Sequence, residues 1–305
     1  MKLRTEIPHT PLNRLIGPRD SILLLGSCFT EHIGEWLQSS WLDVMYNPWG
    51  VLFNPASIAL SLQRCTSDDW PQPQMVQRNG RYYSFEHHSC ISAESETALL
   101  DLIDQTDQRV RPYATSADHL LVTWGTAWVY ERNGQVVANC HKAPASEFVR
   151  RRLSVQEIVE MWSPIVQQRH VVLTVSPIRH IGDGLHGNQV SKATLLLAIE
   201  QLQERYPEQV DYLPAYELLN DDLRDYRFYA EDLVHPSPLA IEAVRELFTD
   251  CACNQDLQQY LTEARPLVKT LQHRPSDPTS AEYQQLLAQT SARRDQLLDK
   301  WGLRR

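Results

Sequence analysis

The chain has 305 residues, 42% of them hydrophobic, which is enough for one sizeable core or for a core with an appendage. Its 29 basic and 38 acidic residues give a net charge of −9, with no basic run beyond Arg150–Arg152, so a nucleic-acid partner and an anionic membrane surface are both disfavoured. Six cysteines are too few for a disulfide scaffold. No secretory signal or membrane-length apolar run is visible, and the expected location is the cytoplasm.

In chain order, Ser21 to Leu25 reads as a short apolar strand ending at Gly26. Cys28 to Ser39 follows with Phe29, Ile33, Trp36 and Leu37 at helical spacing, which places Gly26-Ser27 on a strand-to-helix turn. The segment from Cys65 to Thr115 is irregular and partly aromatic, and reads as an insertion or an antiparallel excursion. Leu120 to Trp124 is a second strand, closed by Gly125. Ser154 to Trp162 is a predicted helix with a Ser154/Glu157 capping box and a Leu153/Ile158 staple, which Pro164 kinks or ends. His170 to Val175 and Val210 to Ala215 are further strands, separated by a helix over Gln189 to Tyr206. Ser237 caps a helix to Phe248 with Pro238 in its first turn. Residues 254–278 read as a connector with some helix, and 280–303 as a polar helix. The alternation implies an α/β fold with a parallel sheet covered on both faces, spanning 1–253 with the insertion at 65–115, followed by a helical extension at 254–305.

A serine leaving a buried strand at a helix start can raise its hydroxyl into the crevice above the sheet, near the free amides of the helix N-terminus. Ser27 holds this position. Serine is equally at home there as a plain N-cap. A serine nucleophile needs a base, and the base needs a partner that fixes its tautomer. Asp232-Leu233-Val234-His235 offers both on one turn, late in the chain and just before the last core helix. Cys28 is a rival nucleophile at the same helix start, but one residue past the strand exit. Glu86-His87-His88 is a weak metal pattern, because adjacent histidines on a strand face opposite ways, and no metal site or cofactor is expected.

The order of these blocks resembles the GSCFA family, a group related to SGNH hydrolases. The matching stretches are Gly26-Ser27-Cys28-Phe29, Tyr46 through Pro55, Trp124 through Tyr130, Asn139 through Lys142, Ser176 through His180, Ser191-Lys192-Ala193, and Tyr216 through His235. The family's fifth letter is Thr30 here, inside the helix. The resemblance implies a three-layer α/β/α, flavodoxin-like sheet with Ser27, Asp232 and His235 as the triad of an esterase or acyltransferase. It leaves the oxyanion donors open: Gly50, Gly125, Thr126, Asn47 and Asn139 are candidates, since the later block has no asparagine at the place typical of SGNH enzymes. Gly50 and Gly125 read equally well as plain turn glycines. Arg179 and His180 follow a strand end, where Arg179 could bind a substrate anion or pair with an acid to hold its loop. His141-Lys142 is a weaker pair of the same kind, and the Tyr226–Tyr229 run reads as packing beneath the Asp232–His235 turn. The expected substrate is a small-molecule or saccharide acyl ester. A non-catalytic anion- or carbohydrate-binding module, and a homo-oligomer assembled through the C-terminal helices, are the alternatives.

Overall fold

The computed structural model describes residues 4–303. Its elements in chain order are β1 (Ile22–Gly26), α1 (Cys28–Ser39), β2 (Val44–Tyr46), α2 (Pro55–Thr66), β3 (Met75–Arg78), β4 (Arg81–Ser84), β5 (Ser92–Ala93) and α3 (Glu96–Ser116). There follow β6 (His119–Trp124), β7 (Trp128–Arg132), β8 (Gln135–Val137), β9 (Val149–Arg152), α4 (Val155–Gln168), β10 (Val171–Val175) and α5 (Gly184–Arg205). The chain closes with β11 (Val210–Tyr212), the short α6 (Ala215–Glu217), α7 (Pro238–Ala252), α8 (Gln255–Gln272) and α9 (Ala281–Trp301).

Five strands form one parallel sheet in the order β2-β1-β6-β10-β11. Their apolar runs are continuous because both faces are covered. Leu23, Leu25, Leu120, Val122, Leu173 and Val175 pack under α2, α4 and α5. Ile22, Leu24, Leu121 and Val172 face the opposite layer, built from α1, α7 and α8. The C-terminal residues 254–303 therefore belong to the same core: Leu257, Tyr260 and Ala264 are buried with Phe29 and Phe248, and the Tyr260 hydroxyl donates to the Ser40 carbonyl at 2.5 Å.

The strand order reverses between β1 and β6. In open parallel sheets the crevice at such a reversal, outside the carboxyl ends of the strands, is where ligands bind. Ser27 follows β1 and Gly125 follows β6, so both sit on this edge.

Several local readings differ from the structure. The 65–115 segment does contain an antiparallel excursion, the sheet β3-β4-β5, but it ends in the 21-residue α3. Val44–Tyr46 supplies an edge strand too short to show as a run. Residues 128–152 form a second antiparallel sheet, β8-β7-β9. Pro164 neither ends α4 nor stops its packing: the helix continues to Gln168, because Val166 is drawn into the core beyond it. The capping box of Ser154 and Glu157 forms as expected.

Candidate active site

Gly26 shapes the turn that carries Ser27. Its φ is +138°, and a Cβ there would lie 2.2 Å from the Thr123 carbonyl oxygen, so only glycine lets β1 run this close to β6. The Gly26 amide donates to Asn47 Oδ1 at 2.9 Å. Thr30 Oγ1 donates to Thr123 Oγ1 at 2.8 Å and ties the first turn of α1 to β6. The Ser27 hydroxyl accepts the Phe29 amide at 3.3 Å as the N-cap, and the residue is only 2% exposed.

Asp232 and His235 do pair across one turn. His235 Nδ1 meets Asp232 Oδ2 at 2.6 Å, while Asp232 Oδ1 accepts the amides of Val234 and His235, each at 2.9 Å. Leu233, at φ +58°, gives the turn its shape. Those amides, together with the imidazole, hold the Asp232 carboxyl down to about 2. An anionic carboxylate on Nδ1 leaves Nε2 as the nitrogen free to take up a proton. Nε2 has no protein partner among the described residues, and it is not hydrogen-bonded to Ser27.

The strip before this turn is braced from β10. Arg179 donates to the Tyr229 hydroxyl at 2.9 Å, and its guanidinium stacks 4.4 Å from the Tyr229 ring centroid and 5.7 Å from that of Tyr226. Tyr229 bridges to Pro236, and the Ala230 amide donates to the His235 carbonyl at 2.8 Å. Arg179, half-buried, is ion-paired to no acid among the described residues. It supports the histidine turn through Tyr229, which is buried, whereas Tyr226 at the other end of the run is 64% exposed.

The expected oxyanion amides are already engaged. The Gly50 amide donates to the Asn47 carbonyl at 2.8 Å, and at φ +79° Gly50 lies against His88 and Cys90 as a turn glycine. The amides of Gly125 and Thr126 both donate to the Phe53 carbonyl, at 2.8 and 2.9 Å. The Thr126 hydroxyl meets Ser191 Oγ at 3.0 Å and accepts the Trp128 amide. The free donors lie elsewhere. Asn47 Nδ2 is buried and unpaired, on the same side-chain amide whose oxygen holds Gly26. The Cys28 amide opens α1 with no carbonyl acceptor among the described residues and lies against its own thiol. Asn139 turns its Oδ1 to the His141 amide instead.

Burial and the nearby Glu31 raise the Cys28 thiol, which weakens it as a nucleophile. Among the described residues no three His, Cys, Asp or Glu side chains are grouped as a metal would need. His87 pairs with Ser84 Oγ, and His88 Nδ1 accepts the Cys90 amide.

Two features have no role assigned from the sequence, although Lys192 lies in one of its matching stretches. Lys192, on α5, is fully buried and donates to the carbonyls of Gly125 and Ser176 at 2.6 Å each, joining the ends of β6 and β10. Desolvation lowers it to about 7. Its signal was a lysine one turn before Leu195 on the buried face of α5. Beside Thr126 and His180 opens a cleft of about 480 Å³, walled by Phe53, Trp128, Tyr130 and Arg150. Burial, with Lys192 near by, pushes the His180 imidazole down to about 4.

A model of the GSCFA family matches residues 21–248, from the start of β1 to the last turns of α7. The chain belongs to the GSCFA family. No curated protein and no solved structure matches it. The matched GSCFA region takes in Ser27, Asn47, Lys192, the Arg179 brace and the Asp232–His235 turn. It stops before α8 and α9. No helix among the described residues is long and apolar enough to cross a membrane.

Proposed function

We propose that this GSCFA protein is a serine hydrolase of the SGNH kind acting on acyl esters, with Ser27 as nucleophile and His235 as base. The observation that carries the reading is the preformed Asp232–His235 pair, with Nε2 unoccupied, on a chain whose Ser27 stands at the sheet's reversal point. In the reaction, Nε2 closes on Ser27 and takes the hydroxyl proton as Oγ bonds to the acyl carbon. The ester C–O bond then breaks and the proton passes to the departing alcohol. A water, or a second alcohol in an acyltransferase, repeats the sequence in reverse and frees Ser27. Asn47 Nδ2 and the Cys28 amide are the donors for the developing oxyanion, in place of Gly50, Gly125 and Thr126. One such donor contributes about 10²–10³ in rate. Arg179 and His180 take no part in the chemistry here; Arg179 holds the histidine turn. The alternative of an anion-binding module keeps Arg179 as its strongest residue, since the guanidinium spends one donor on the Tyr229 hydroxyl and packs on the Tyr229 and Tyr226 rings. Six free cysteines suit a reducing compartment, the cytoplasm.

Labelling with a fluorophosphonate probe tests the reading. Wild type is expected to label, and Ser27→Ala and His235→Ala are expected to lose at least about 10³-fold in rate. A folded wild type that does not label, or a His235→Ala that labels like wild type, would sink it.

A further inference from the structure

We infer that the cleft between the main sheet and the β7–β9 sheet is a binding site for a neutral saccharide ring. Two aromatic side chains in its walls keep much of their surface open: Phe53 is 39% exposed with His180 edge-on against its ring, and Tyr130 is 43% exposed with the Arg150 guanidinium 5.6 Å from its ring centroid. Aromatic faces left open in a cleft are a ligand platform. A saccharide offers the matching surface, since one face of the ring presents C–H groups while the rim presents hydroxyls.

The polar groups fit that rim. Arg150 stacks 4.3 Å from the Trp128 ring centroid, which fixes the plane of its guanidinium, and it is ion-paired to Asp183. Only part of the guanidinium fork is used by Asp183, so further N–H donors remain for a ligand. Asn139 lines the same cleft, its Oδ1 accepting the His141 amide, and its Nδ2 is a further donor type on that rim. His180, held near 4, stands in the wall as a neutral imidazole. The charges decide between a sugar and an anion. The Asp183 carboxylate, 9% exposed, neutralises Arg150, so a phosphate or carboxylate would meet a pair with no net charge on a chain of net charge −9. Hydroxyls, which donate and accept, need no net charge.

The cleft lies on the same sheet edge as Ser27. Gly125 separates them: a Cβ on it would lie 3.4 Å from His180 Nε2, and its strand β6 pairs with β1. If the esterase reading holds, this is the seat of the alcohol half of the ester; that clause rests on that reading, whereas binding of the ring does not.

The test is ligand-observed saturation-transfer NMR on the full chain with cellobiose, xylobiose and N-acetylglucosamine, each at about 10 mM, a range suited to weak sites. No turnover is read, so loss of the Ser27 chemistry leaves the result intact. At least one sugar is expected to show transfer that Tyr130→Ala weakens about ten-fold, as truncating an aromatic anchor does. Tyr130→Phe, which keeps the ring, is expected to retain it and to exclude a folding effect. Absence of transfer from all three sugars, transfer that Tyr130→Ala leaves unchanged, or displacement of the sugar by equimolar inorganic phosphate or adenosine would each overturn the assignment.

Discussion

At the scale of single residues, Lys192 sets the strongest constraint on the site. A buried ammonium has three hydrogens to place, and only two acceptors, the Gly125 and Ser176 carbonyls, are within 2.6 Å. A neutral amine has two hydrogens and satisfies both, which agrees with a folded-state value of about 7 against the ordinary 10.5. The consequence for stability has a definite sign. Between pH 7 and 10.5 the unfolded chain keeps a proton that the folded chain has released, so stability rises with pH over this window. Relative to Lys192→Met, wild type is expected to gain up to about 1.4 kcal/mol per pH unit from pH 7 to 10, read by urea unfolding of both proteins. A difference that stays flat across the window would mean that Lys192 keeps its proton in the fold. Much of the site is legible in the sequence at this scale, because Asp232 and His235 pair within one turn and Ser27 caps the helix it begins. Among the oxyanion candidates Asn47 is legible too, but the engagement of Gly125, Thr126 and Gly50 is not, because the Phe53 and Asn47 carbonyls that accept their amides are brought there by loop geometry.

At the scale of elements, α1 begins directly after Ser27, the proposed nucleophile, and its position depends on contact with β2. Gly34 faces Tyr46, and an added Cβ would lie 2.4 Å from the ring, close to the stem of that side chain. Two effects oppose each other in Gly34→Ala. Alanine favours the helix by about 1 kcal/mol over glycine, but overpacking against a ring that cannot swing from its stem costs about 1–3 kcal/mol. Packing is expected to win, with Gly34→Ala less stable by about 1 kcal/mol in a denaturant titration and slower to label at Ser27. A variant more stable than wild type would show that α1 is free to shift. Sequence patterns revealed the strands with long apolar runs, β1, β6 and β10, together with β11 and the helices α1, α4, α5, α7 and α9. Those that were missed had other signals. Asn79-Gly80 and Asn133-Gly134 all have positive φ and close the β3–β4 and β7–β8 hairpins, as Asn-Gly pairs do. In α3 the stripe Leu99, Ile103, Thr106, Val110, Ala114 keeps helical spacing, hidden among polar residues and Pro112.

At the scale of the whole molecule, the place of residues 254–303 decides whether the chain folds as one unit. The sequence leaves this open, because a proline-bearing connector followed by a polar helix reads as an appendage. The structure spends the apolar face of α8 inside the chain: Leu257, Tyr260, Leu261, Ala264 and Leu267 are buried with residues of α1 and α7. The join is also sealed by main chain, since Ile16 bridges to Cys253 and its carbonyl accepts the Asn254 amide at 2.9 Å. Burying four large side chains contributes about 1.5–3 kcal/mol each, so the segment is worth on the order of 10 kcal/mol before the cost of ordering it. That is comparable with the whole stability of a typical domain. A chain ending at residue 253 would expose Phe248, Cys251 and the inner face of α1 to water. It is therefore expected to lose its cooperative thermal transition and to aggregate, whereas the full chain melts in a single step followed by circular dichroism. If the shortened chain stayed soluble and melted within a few degrees of the full one, α8 and α9 would be a separable appendage, free for the assembly role that their polar outer surface does not suggest.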